Sequence, residues 1–247
     1  MLVIPGIDIK GGKCVRLRQG RMSEVTVFSD DPVAQARHWL REGARRLHLV
    51  DLDGAVAGAP RNAEVIGEIV RAAGTVPVQV GGGVRSFATL KAYLDAGVSQ
   101  VIIGTRAVED PDFFAESCRM FPGRVTLGID ARDGRIATDG WRNTSKIEAT
   151  AFARWAKPHA PAAIVYTDIS RDGMLSGLNV AATVALAEAS GLPVIASGGV
   201  TSLADIEALA QAACGSRGEI LGAIVGRAIY EGTLELKAAQ AWLDTRG

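Results

Sequence analysis

The chain has 247 residues, enough for one large α/β domain or two small ones with a substantial buried core. Lysine plus arginine and aspartate plus glutamate both number 27, so the formal net charge is zero. That argues against a general nucleic-acid or membrane-surface role and leaves room for a local anion site. No run approaches the ~18 apolar residues of a spanning helix, and the first apolar run meets Asp8 without a basic leader, so a soluble, cytoplasmic protein is expected. Cys14, Cys118 and Cys214 lack metal-ligand or redox spacing and read as reduced thiols.

In chain order, short apolar, β-branched runs alternate with longer amphipathic ones. Strands are predicted at 2–8, 46–51, 76–80, 100–104, 124–130, 162–167, 193–197 and 219–225. Helices are predicted near 32–42, 62–73, 86–96, 111–120, 148–157, 179–190, 202–213 and 234–244. Asp31-Pro32 and Asp110-Pro111 each place a capping aspartate before a proline in the first turn, while Gly43, Gly97 and Gly191 follow helix ends. Eight strand–helix units without a linker predict a single-domain α/β protein closed into a (β/α)8 barrel. A doubly wound open sheet should carry a Gly-x-Gly-x-x-Gly first turn, which Asp8 to Gly12 lacks.

The chain repeats itself. Gly6 to Gly12 reads Gly-Ile-Asp-Ile-Lys-Gly-Gly and Gly128 to Gly134 reads Gly-Ile-Asp-Ala-Arg-Asp-Gly, which sets Asp8 against Asp130. An offset of about half the length predicts duplicated half-barrels, about 1–122 and 123–247. Glycine turns repeat as well: Gly82-Gly83 after the third strand matches Ser197-Gly198-Gly199 after the seventh, and Gly104-Thr105 after the fourth matches Gly226-Arg227 after the eighth. Such turns let the backbone approach a ligand, and the helix that follows offers unpaired N–H groups, a combination that binds phosphate.

In an eight-stranded ring, strands 1 and 5 oppose each other, as do the 3/4 and 7/8 gaps. A ligand with a phosphate at each end would stretch between the glycine sites with its middle between Asp8 and Asp130. The expected partner is therefore a diphosphorylated small molecule undergoing carboxylate-mediated proton transfer. Arg85 is expected to add charge-assisted hydrogen bonds at the first site. A side chain added at Gly82 or Gly199 is expected to raise KM and leave the fold intact.

Several stretches carry a resemblance over almost the whole chain: Ile4-Pro-Gly-Ile-Asp8, Leu47-His-Leu-Val-Asp-Leu-Asp-Gly54, Val78-Gln-Val-Gly-Gly-Gly-Val-Arg-Ser86, Gly140-Trp141, Tyr166-Thr-Asp-Ile-Ser-Arg-Asp-Gly173 and Ser197-Gly-Gly199. On these the chain resembles the ProFAR isomerase family of histidine biosynthesis, duplicated (β/α)8 enzymes. The resemblance implies an Amadori rearrangement without cofactor or metal, in which an aminoaldose opens its ribose ring and becomes an aminoketose. It implies Asp8 as the base at the sugar C2, Asp130 or Asp172 as the acid at the ring oxygen, Thr167 touching substrate and Trp141 stacking on the heterocycle. The duplication favours Asp130 as the acid. Arg16 and Gly177 complete the expected binding set.

Relative to that family, Gly6 replaces a usual alanine and is expected to loosen the strand, and Arg21-Met22 and Met174 put loop contacts in doubt. His38, His48 and His159 read as structural. Three alternatives remain: the sister cyclase, which has a lysine where this chain has Arg16; a bifunctional isomerase that also takes phosphoribosylanthranilate; and a non-catalytic phosphosugar-binding barrel. With no exposed apolar stripe, a monomer is expected. Closure of 11–25 and 131–146 over the substrate is expected to exclude water.

Overall fold

Residues 1–18 and 21–246 are described in the computed structural model; the side chains of Arg21 and Met22 lie outside the described part. In chain order the strands are β1 (Leu2–Lys10), β2 (Lys13–Arg18), β3 (Arg21–Ser29), β4 (Leu47–Asp51), β5 (Val78–Gly81), β6 (Gln100–Ile103), β7 (Val125–Arg132), β8 (Arg135–Thr138), β9 (Asn143–Glu148), β10 (Ile164–Asp168), β11 (Val194–Ser197) and β12 (Ile220–Val225). Eight of them pair in parallel in the order β1-β4-β5-β6-β7-β10-β11-β12, and β12 returns to β1. The ring is closed, so this is a (β/α)8 barrel.

The helices stand where the periodicity and caps put them, from Pro32–Arg41 to Leu236–Asp244. The Asp31 carboxylate accepts the Ala34 N–H at 2.9 Å, and Asp110 accepts that of Phe113 at 3.0 Å. Each removes one orphan donor from a first turn. Ile7, Leu49, Val80, Ile103 and Ile129 pack between strands and helices, while Ile4, Ile102, Val165, Ile195 and Ile224 fill the ring itself. Its interior is therefore a packed floor under the strand C-termini. Among the described residues, no helix is long and apolar enough to cross a membrane.

Two antiparallel hairpins were not expected. β2 and β3 follow β1, and β8 and β9 follow β7, so both occupy the same place after strands one and five of the ring. Gly6 also differs from expectation. A Cβ there would lie 2.9 Å from Arg16 Nη2, so the missing side chain makes room for a guanidinium instead of loosening β1. His48 sits inside the ring on β4, with Nδ1 3.0 Å from Gln79 Nε2. Burial first, then the nearby Arg16, pushes its pKa down to about 3, so the ring is neutral at physiological pH.

Candidate active site

Strand register brings the expected residues to one rim. Asp130 on β7 lies beside Thr167 on β10, which lies beside Ser197 on β11; Asp8 lies near the C-terminal end of β1. A cavity of about 270 Å³ opens among them. Gly82, Gly83, Arg85, Gly104 and Thr105 line one end, Ser197, Gly198, Gly199, Gly226 and Arg227 line the other, and Asp8, Arg16, Asp130, Trp141, Thr167 and Asp172 line the span between. Gly177 is the member of the expected set outside this lining. Its N–H donates to the Gly199 carbonyl at 3.0 Å, so it braces the second glycine turn from behind.

The three carboxyl groups differ in their surroundings. Arg16 on β2 donates from Nη1 to Asp8 Oδ2 at 2.8 Å, with both side chains about one-sixth exposed. Among the described residues no cation pairs with Asp130: burial raises its pKa, while hydrogen bonds from the Trp141 and Thr167 side chains oppose the rise. Asp172 is pushed up to about 7, first by burial, then by the charge of Asp8, with Arg16 opposing and Asp130 adding to the rise. Burial and the neighbouring carboxylates thus favour the protonated form of Asp172.

Asp172 is delivered by a tight turn anchored on Asp168. The Asp168 carboxylate accepts the Ser170 N–H at 3.1 Å and the Ser170 hydroxyl, and its carbonyl accepts the N–H groups of Arg171 and Asp172 at 3.1 Å each. Trp141 sits in a run of left-handed residues, with φ of 55° at Asp139, 63° at Gly140 and 71° at Trp141. For a bulky side chain this conformation costs of order 1–3 kcal/mol. The Asp139 N–H donates to Thr105 Oγ1 at 3.1 Å and so helps tether this loop to the end of β6.

The glycine turns are tighter than expected. A Cβ on Gly82 would lie 2.2 Å from the Asp51 carbonyl oxygen, and one on Gly199 2.4 Å from that of Gly177, both at positive φ. A substitution at either position would therefore push against backbone and disturb the fold, so the expectation of an intact fold fails there. His48, Arg106 and Asp139 also line the cavity, and sequence reasoning placed none of them in the site. Arg106 could have been suspected only as the residue after Gly104-Thr105.

Comparison with known proteins follows the same lines. The profile of the family described as "Histidine biosynthesis protein" matches residues 2–235. The chain belongs to the histidine biosynthesis protein family.

Relatives in this family are similar over nearly their full length. A protein of Acinetobacter baylyi is 59% identical over 244 residues, covering 99% of this chain and 98% of its own. One from Hahella chejuensis is 56% identical over 245 residues, covering 99% of each chain. Both are named 1-(5-phosphoribosyl)-5-((5-phosphoribosylamino)methylideneamino) imidazole-4-carboxamide isomerase.

Proposed function

We propose that the chain is an aldose–ketose isomerase of histidine biosynthesis that converts ProFAR to its ribulosyl form by carboxylate acid/base chemistry. The observation that carries this reading is the convergence of Asp8, Asp130 and Asp172 on the middle of a cavity with a glycine turn pair at each end. A substrate bearing two phosphoribosyl groups matches that layout, and the names of the similar proteins describe such a substrate. The site is complete within one chain, which supports a monomer; we place it in the cytoplasm and read its halves as about 1–122 and 123–247.

The chemistry needs one proton delivered and one removed. A proton reaches the ribose ring oxygen, the C1–O bond breaks and an iminium forms. The base then takes the proton from C2 to give an enolamine, which tautomerises to the aminoketose by gaining a proton at C1 and losing one from the C2 hydroxyl. An efficient acid has a pKa near the working pH. Asp172, pushed up to about 7, fits that requirement, so we assign it the acid role that the duplication alone would give to Asp130. Asp8, paired with Arg16, serves as the carboxylate base, and Asp130, bonded to Trp141 and Thr167, orients the open-chain sugar.

Backbone N–H groups at Gly82-Gly83 and Gly104-Thr105 hold one phosphate, with Arg85 beside them; those at Gly198-Gly199 and Gly226-Arg227 hold the other. Trp141 covers the heterocycle between. The test is absorbance-monitored turnover of ProFAR by the purified protein. Conversion to the ribulosyl product supports the assignment, and tight binding without conversion would leave a phosphosugar-binding barrel in its place.

A further inference from the structure

Behind the base lies a side chain that the proton transfers do not use. Tyr230 closes the one-turn helix Arg227–Tyr230 that follows β12. Its hydroxyl donates to the Gly6 carbonyl at 3.1 Å, lies 3.2 Å from Cys14 Sγ and faces the Trp39 indole N–H at 3.5 Å. The ring packs on Phe28 at 4.9 Å and edge-on to Trp39 at 5.2 Å between centroids. Its open face carries the Arg16 guanidinium, with Cζ 5.1 Å from the ring centroid.

Arg16 has little else to hold it. Nη1 reaches Asp8 and Nη2 reaches the same Gly6 carbonyl that Tyr230 uses, while Nε is buried with no hydrogen-bond partner among the described residues. Added Cβ atoms at Gly6 and Gly226 would lie 2.9 Å from Nη2 and 2.8 Å from Cζ. The guanidinium is thus seated between two side-chain-free positions, the Tyr230 ring and Asp8. An arginine has many rotamers, and fixing one opposes its conformational entropy; a desolvated cation–π contact offsets this.

We propose that Tyr230 is a positioning residue for the isomerisation, acting on Asp8 through Arg16: its ring seats the guanidinium and its hydroxyl fixes the Gly6 carbonyl two residues before the base. Arg227, on the same turn, lines the second phosphate end of the cavity, so one short helix serves both the anchoring of substrate and the aim of the base. Burial raises the Tyr230 pKa well above its ordinary value, which keeps the hydroxyl a donor and leaves it no part in proton transfer. The inference rests on the isomerase reading, and wild-type turnover of ProFAR is the control that separates the two.

The experiment is a double-mutant cycle with Tyr230→Leu and Arg16→Gln, with Tyr230→Phe as the conservative variant and thermal melts checking the fold. A displacement of about 1 Å at a reacting group can cost ~10² in rate, so Tyr230→Leu should lower kcat by about 10- to 100-fold with KM within about threefold. Tyr230→Phe, which keeps the ring, should recover most of that loss. In the Arg16→Gln background, Tyr230→Leu should cost little more, because residues acting as one unit are not additive. Should Tyr230→Leu melt early, Tyr230→Met, which keeps apolar bulk without a ring, takes its place in the cycle with Arg16→Gln. Additive losses, or a kcat unchanged in a folded Tyr230→Leu enzyme that turns over ProFAR, would overturn the proposal.

Discussion

The Asn179 side-chain amide donates to the Asp168 carboxylate at 2.7 Å, and Asn62 donates to Asp51 at the same distance in the other half of the ring. Each asparagine heads a helix and each aspartate ends a strand, so the same device holds both loops. Asp168 is buried, and its carboxylate accepts from the Ser170 N–H, the Ser170 hydroxyl and the Asn179 amide. Asp168→Ala should strand those donors at about 1–3 kcal/mol, read as a Tm drop of about 2–4 °C per kcal/mol for a chain of this size. It should also lower kcat, because the carboxylate's bonds to Ser170 hold the turn that presents Asp172. Asp51→Ala should show a comparable melt with a smaller kcat loss, its loop bearing no acid.

The acid assignment has a pH signature. With Asp172 pushed up to about 7, kcat/KM should fall on the alkaline side as that group loses its proton. Asp172→Asn should lower kcat by ~10²–10⁴ and abolish that limb. A limb that survives in Asp172→Asn and vanishes in Asp130→Asn would transfer the acid role to Asp130.

The same group links stability to pH. An unfolded aspartate titrates near 3.9, whereas Asp172 in the folded chain holds its proton up to about 7. Between those values the folded state binds more protons, so its contribution to stability is complete below about pH 4 and is lost as pH rises through 7. Relative to wild type, Asp172→Asn should therefore melt higher at pH 8 than it does at pH 4. Equal differences at both pH values would contradict the raised pKa.

The phosphate reading is best probed at Gly104. A Cβ there meets only the Gly128 carbonyl at 3.8 Å, whereas its φ and ψ, both −103°, lie outside the regions that residues with a Cβ favour. Gly104→Ala should lower the melt through backbone strain of about 1–3 kcal/mol, without a steric clash, and raise KM several-fold by obstructing the backbone N–H groups. Gly82→Ala, with its Cβ 2.2 Å from a carbonyl oxygen, should lower the melt as well. An unchanged KM in Gly104→Ala would remove the phosphate from that end.

The barrel was legible because each element carries its own punctuation. Strands end in aspartate or glycine turns, and Asp31 and Asp110 cap helices where the sequence places them. The start of the first insertion was legible in principle: the Gly11-Gly12 turn folds β2 back on β1, and Val15 and Leu17 flank Arg16 in alternation. The second was not, since Asn143–Glu148 is polar and largely exposed and pairs only through backbone that leaves no pattern in the side chains. The aspartates showed themselves through the duplication, but their different roles did not. What separates them is contact with Thr167 on a strand and with Arg16 and Trp141, which come from segments that sequence reasoning left as loops.

The two hairpins give this repeated ring a direction. β2 returns a cation to Asp8, whereas the turn between β8 and β9 returns an indole to the neighbourhood of Asp130. A substrate with a phosphate at either end meets two similar cradles and could lie across the mouth either way round. On the proposed reading, only one orientation sets the sugar to be isomerised against the carboxylate that has its counter-ion and the heterocycle under the indole. Insertions after the two equivalent strands thus distinguish head from tail in a molecule whose ends look alike to the backbone.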